Sequence, residues 1–175
     1  MRYLRLLLLS FLFLFITVTL ISLLIPGRVR ISRAVNVKAT PASIWKEVDN
    51  LENWRQWNPF FKGVQEGAIR PIDSVGGMLH AMEVNGTMVR WKERNEDERV
   101  AYMERPGRKP VVNAWRCIVT PGGDSTTLQW YMDFHLRWYP WEKFGSIMFE
   151  RSYGPQMEQG LAELKKRAES GFSSQ

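Results

Sequence analysis

The chain has 175 residues, with 24 lysines and arginines against 18 aspartates and glutamates and a formal net charge of +6. Those charges are mixed along the chain, as in KERNEDER, rather than gathered in blocks, which suits a solvated surface and argues against a nucleic-acid groove. Cys117 is the only cysteine, which excludes an intrachain disulfide.

The first element in chain order is apolar. From Leu6 to Ile25 no residue is charged. At helical rise such a run spans roughly 30 Å, about the hydrocarbon thickness of a bilayer. Arg2 and Arg5 precede it, so a cleaved signal peptide is the alternative. The run ends SLLIPGRV, with bulky Leu24 and Ile25 where a signal would carry small residues, so a retained anchor over residues 1–26 is expected. Arg28, Arg30 and Arg33 balance Arg2 and Arg5, so the flanking charges assign no side of the membrane.

Residues 27–170 form the expected soluble domain, with 171–175 as a frayed tail. RVRISRAVNVK alternates and predicts a first strand over 28–38. Thr40-Pro41 starts a helix, with Thr40 as N-cap and Ile44, Trp45 and Val48 on its apolar face. NLENWRQWNPFF then sets Leu51, Trp54 and Trp57 on one face of a second short helix that must stop before Pro59. A weak strand is expected over 62–69 and a turn over 73–77. Strands are predicted over 78–84 and 87–94, joined by Asn85-Gly86, and over 99–105. Two more, over 111–120 and 125–136, flank the turn Pro121-Gly122-Gly123-Asp124. RWYPWEKF is expected as a loop whose aromatic residues form a cavity mouth, a partner site or an interfacial belt. Ile147, Gly154, Met157, Leu161, Leu164 and Ala168 mark one face of a long last helix, with a kink or break at Gly154-Pro155.

The strings VNVKATPASIWKEV, NLENWRQWNPF and GPQMEQGLAELKKRAE, in this order, resemble the START-like, or polyketide cyclase/dehydrase-like, superfamily (SRPBCC, helix-grip fold). The resemblance implies an α+β fold: a curved antiparallel sheet wrapped on a long C-terminal helix, with two short helices after the first strand. It also implies an apolar cavity between sheet and helix. It carries over no shared catalytic residue, and fold alone does not fix function. On this resemblance Trp54 and Trp57 are plugs at one end of the cavity.

Alternation supplies the expected lining. Arg116 should face water, which turns Asn113, Trp115, Cys117 and Val119 inward. Gln129 and Asp133 should face water, which turns Leu128, Trp130, Met132 and Phe134 inward. Trp91 and Met157 complete the apolar lining, and Tyr102 and Asn113 are the candidate polar groups of the site. Glu93 is in phase with Trp91 and is the best acid or base for a cyclase, against a solvated strand end as the favoured alternative. His80 and His135 lack ligand-spaced partners, so no metal or other cofactor is implied. Cys117 reads as a buried hydrophobe. The expected function is non-catalytic binding of a hydrophobic small molecule or lipid at a membrane. A cyclase or hydrolase and a protein-interaction module with a filled core are the alternatives.

Overall fold

Thr40 closes the first turn of the first short helix, as its position before Pro41 requires. Its Oγ1 accepts from the Ser43 N–H at 3.4 Å, and the helix buries Ile44, Trp45 and Val48. The computed structural model describes residues 2–119 and 125–172. The expected turn at Pro121–Asp124 and the tail residues 173–175 lie outside the described residues.

Twelve helices and strands follow one another: α1 (Arg2–Leu23), β1 (Arg28–Val37), α2 (Pro41–Asp49), α3 (Trp54–Trp57), β2 (Ile69–Val75), β3 (Met78–Val84), β4 (Thr87–Arg94), β5 (Glu98–Glu104), β6 (Val111–Val119), β7 (Thr126–His135), α4 (Pro140–Gly145) and α5 (Phe149–Phe172). The strands form one antiparallel sheet in the order β1-β7-β6-β5-β4-β3-β2. The fold is the α+β helix grip, with α5 packed on β1, α2 and α3. α1 is a helix long and apolar enough to cross a membrane, and nearly all of it is exposed.

Four local expectations need correction. The second strand is Ile69–Val75 rather than 62–69, and Asp73 to Val75 belong to it rather than to a turn. Pro71 hides this strand in the sequence, but at a sheet edge the missing N–H disrupts little, and the bulges beside it blunt that edge. RWYPWEKF is not all loop: Pro140 opens α4 at a position where its missing N–H costs nothing. α5 runs unbroken through Gly154-Pro155. A residue before proline leaves the α region because its Cβ meets the proline ring. Gly154 has no Cβ and escapes that clash. The same missing Cβ admits the Arg33 guanidinium, which pairs with Glu150 and, at 2.6 Å, with Glu158 on the helix. Finally, Ile147 lies exposed ahead of α5, whereas Gly154, Met157, Leu161, Leu164 and Ala168 are buried as the spacing predicts.

Candidate functional site

The centre of the grip is solid. Trp54 and Trp57, fully buried on α3, stand edge-on to the tryptophans of the sheet. Ring centroids lie 4.9 Å apart for Trp54–Trp115, 5.6 Å for Trp54–Trp91 and 5.8 Å for Trp57–Trp130. Trp115 and Trp130 stack on each other at 5.6 Å. Such edge-to-face and offset pairs add to the burial of the rings. Three of the indole N–H groups in this cluster are also fixed, whereas those of Trp91 and Trp115 are buried without a hydrogen-bond partner. Trp54 donates to the Val48 carbonyl at 2.8 Å, Trp57 to the Glu47 carbonyl at 3.3 Å, and Trp130 to Asn113 Oδ1. Gly160 lets α5 press on this cluster: a Cβ there would lie 2.7 Å from Trp130 Cζ3 and 2.9 Å from Pro59 Cδ.

Space opens toward the N-terminal end of α5. A cavity of about 610 Å³ lies there, within the range typical of small-molecule sites. Phe60 and Phe61 after α3, Met132 and Phe134 of β7, and Phe149 and Tyr153 of α5 form its apolar wall. The β3–β4 hairpin contributes Val84, Asn85 and Thr87. Asn85 and Gly86, with φ of 49° and 72°, make the tight turn their types favour. Trp141 and Gly145 of α4 border the cavity, as do Arg105, Arg108, Lys109 and Arg137.

The structure therefore divides the expected lining. Met132 and Phe134 reach the cavity. Trp91, Asn113, Trp115, Trp130 and Met157 are buried outside its lining, in the packed core. Tyr102 lies on the other face of the sheet, where it packs with Val100, Ala114 and Tyr131 under Lys92. Strand alternation explains the exchange: Ala101 and Met103 take the inner face of β5, so Tyr102 cannot. Val119, in register with Cys117 but at the end of β6, is exposed.

Phe60, Phe61, Phe149 and Tyr153 were not among the expected lining residues. One signal for two of them was present, since Tyr153 and Phe149 continue the α5 face backwards from Met157 in steps of four.

The charged groups of the lining are exposed or half-buried, whereas Thr87 is buried. Arg105 donates to Thr87 Oγ1 at 2.7 Å, Arg137 to the Gly107 carbonyl at 2.6 Å, and Lys109 to the Leu136 carbonyl at 3.5 Å. Glu142 is the one carboxylate among the described lining residues, and its Oε2 accepts from the Arg137 backbone N–H at 2.8 Å. Glu93 is exposed, because a bulge between Trp91 and Glu93 turns it away from the inner face. The same bulge leaves Arg94 partly buried over Trp91, where desolvation lowers its pKa. Cys117 is buried, and burial pushes its thiol up to about 12, which suits a packing residue rather than a nucleophile. His135 lines the cavity and His80 is half-buried on β3. Among the described residues, no three His, Cys, Asp or Glu side chains gather to hold a metal.

A curved sheet gripping one long helix, with a cavity at one end, defines a helix-grip scaffold. The chain belongs to the polyketide cyclase/dehydrase and lipid transport family, whose profile matches residues 28–169. A START superfamily protein from Mycobacterium smegmatis is similar in structure, with a TM-score of 0.59 and 19% identity over 81% of this chain and 97% of that one. The Zhui aromatase/cyclase from a Streptomyces species is similar too, with a TM-score of 0.59 and 15% identity over 81% of this chain and 94% of the other. Truncated norcoclaurine synthase from Thalictrum flavum has a TM-score of 0.51 and 15% identity, over 79% and 92% of the two chains. At these identities the likeness shows the fold alone. No curated protein sequence matches the chain.

Proposed function

We propose that α1 is a retained membrane anchor and that residues 27–170 bind a hydrophobic small molecule or lipid without transforming it. The cavity of about 610 Å³ walled by Phe60, Phe61, Met132, Phe134, Phe149 and Tyr153 carries this proposal. Six largely apolar side chains in one wall suit the apolar body of a ligand, and the cationic and polar side chains that also line the cavity would orient a polar head. For a catalytic role the described lining offers one carboxylate, Glu142, and one imidazole, His135, and neither belongs to that apolar wall. Glu142 is at the rim and already accepts a backbone hydrogen bond. Glu93 faces solvent.

The test uses the full chain in nanodiscs and a fluorescent fatty acid. Wild type should bind the probe saturably. Met132→Trp, which puts a larger ring into the cavity wall, should weaken binding about tenfold or more, equivalent to ~1.4 kcal/mol. Failure of wild type to bind, with clear destabilisation of the variant, would leave an interaction module with a filled core. The aromatase/cyclase among the similar structures supplies a second outcome. Release of a cyclised product from a polyketide-like ligand would overturn the non-catalytic part.

A further inference from the structure

The cavity and the end of α1 meet at α4. Lys143, buried on α4, donates from Nζ to the Ile25 carbonyl at 2.7 Å, just past the α1 terminus. A cation there also complements the negative end of the helix dipole. Two residues further along the chain, the Gly27 carbonyl accepts from the Leu136 N–H at 2.9 Å. Ser22, near the end of α1, is fully buried, although the helix is otherwise almost entirely exposed. α4 is therefore held at the level where α1 ends.

This end of the domain has an unusual surface. Trp138 is 59% exposed, Trp141 64%, Ile147 64% and Met148 51%, all within one short segment. Leu24, at the end of α1, is 84% exposed beside it. Tryptophan favours the membrane–water interface because its large ring is apolar and its N–H is polar. Trp141 also borders the cavity, so the apolar surface runs into the cavity mouth. Four cations, Arg105, Arg108, Lys109 and Arg137, share that mouth with one carboxylate. Cations next to an apolar interfacial segment match a lipid surface rich in anionic headgroups.

We propose that the segment Trp138–Met148 rests in the headgroup region of an anionic bilayer, so that the cavity opens onto the membrane rather than into bulk water. The proposal rests on α1 being a retained anchor. It assigns three tasks. The aromatic and aliphatic side chains enter the interface. The rim cations meet lipid phosphates. The ligand enters the cavity laterally, from the bilayer.

The placement of tryptophan makes the test direct. Of the eight tryptophans, only Trp138 and Trp141 are exposed, and α1 contains none. The full chain is reconstituted in vesicles of phosphatidylcholine with phosphatidylglycerol, with or without a brominated phosphatidylcholine as contact quencher. Wild type should lose emission to the bromolipid, and the Trp138→Phe/Trp141→Phe double variant should lose almost none. Omitting phosphatidylglycerol, or introducing Arg108→Glu with Lys109→Glu, should reduce the wild-type quenching about twofold, because a juxtamembrane cation is drawn to anionic lipid. A chain that resists carbonate extraction but is quenched no more than the double variant would overturn the proposal and leave the tether standing. Quenching indifferent to both lipid charge and the rim variants would overturn the assignment of the cations. A chain released by carbonate would overturn the tether, and this proposal with it.

Discussion

Gly160→Ala separates a helix that merely lies over the sheet from one that presses on it. On an ordinary helix face the change should stabilise, because glycine loses more freedom on folding than alanine, by roughly 0.5–1 kcal/mol. Here the added carbon would sit 2.7 Å from Trp130 Cζ3 and 2.9 Å from Pro59 Cδ. The preferred carbon–carbon separation is about 3.5–4.0 Å. Neither neighbour is the free end of a flexible chain: Trp130 is bonded to Asn113 and stacked on Trp115, and Pro59 Cδ belongs to a closed ring. The helix must lift or the tryptophan stack must shift, at an overpacking cost of about 1–3 kcal/mol. Subtracting the helical gain leaves a net loss of up to about 2.5 kcal/mol, or a melting temperature lower by up to roughly 10 °C for a chain of this size. Denaturant unfolding of the full chain in a fixed detergent, followed by tryptophan emission, measures it. A rise in stability would refute the close approach of α5 to Trp130, and with it the solid centre of the grip.

Trp57→Ala, at a side chain only 1% exposed, should cost about 3–5 kcal/mol in the same unfolding assay. Unchanged melting would place Trp57 outside the core. Cys117, with its thiol pushed up to about 12, should resist iodoacetamide at pH 8 in the folded chain and react once denaturant is added. Because the folded pKa lies above the unfolded value of about 9, the thiol's contribution to stability is intact below pH 9 and should fall as pH rises from about 9 towards 12. Rapid labelling under native conditions, or stability that climbs over that pH range, would contradict the burial.

Much of the fold was legible from particular residues. Asn85-Gly86 located a hairpin, Thr40-Pro41 a helix start, and the alternation of Leu128, Trp130, Met132 and Phe134 an inner face. These are local signals, each set by backbone geometry or by a period of two. The cavity was not local in that sense. Alternation says which face a side chain takes but not what stands opposite. Trp115 and Met132 lie on the same inner face, yet Trp115 is covered by Trp54 and Trp57 while Met132 borders the cavity. Tyr102 was named without a phase for its strand; in β5 Ala101 and Met103 take the inner face, which turns Tyr102 to the opposite one. α5 stays continuous through Gly154-Pro155, a pair that signals a break in sequence, and the missing Cβ at Gly154 removes part of the clash with the proline ring.

The two tryptophans of NLENWRQWNPFF also govern where the grip keeps open space. By filling the middle of the grip, Trp54 and Trp57 leave the space beneath α5 to its N-terminal turns, where Phe149 and Tyr153 stand over Phe134 at centroid distances of 4.7 and 4.8 Å. That is the end carrying α4, and α4 is bonded through Lys143 to the residues that leave α1. Packing at the centre and tethering at the edge thus act on the same space from opposite sides. A core enlarged at α3 would crowd the cavity from the centre, whereas a loosened Lys143 contact would part α4 from the end of α1. In a family that reuses one scaffold for cyclases and lipid carriers, the tryptophan plug and the α1–α4 contact together direct the cavity of this chain to the end where α1 departs.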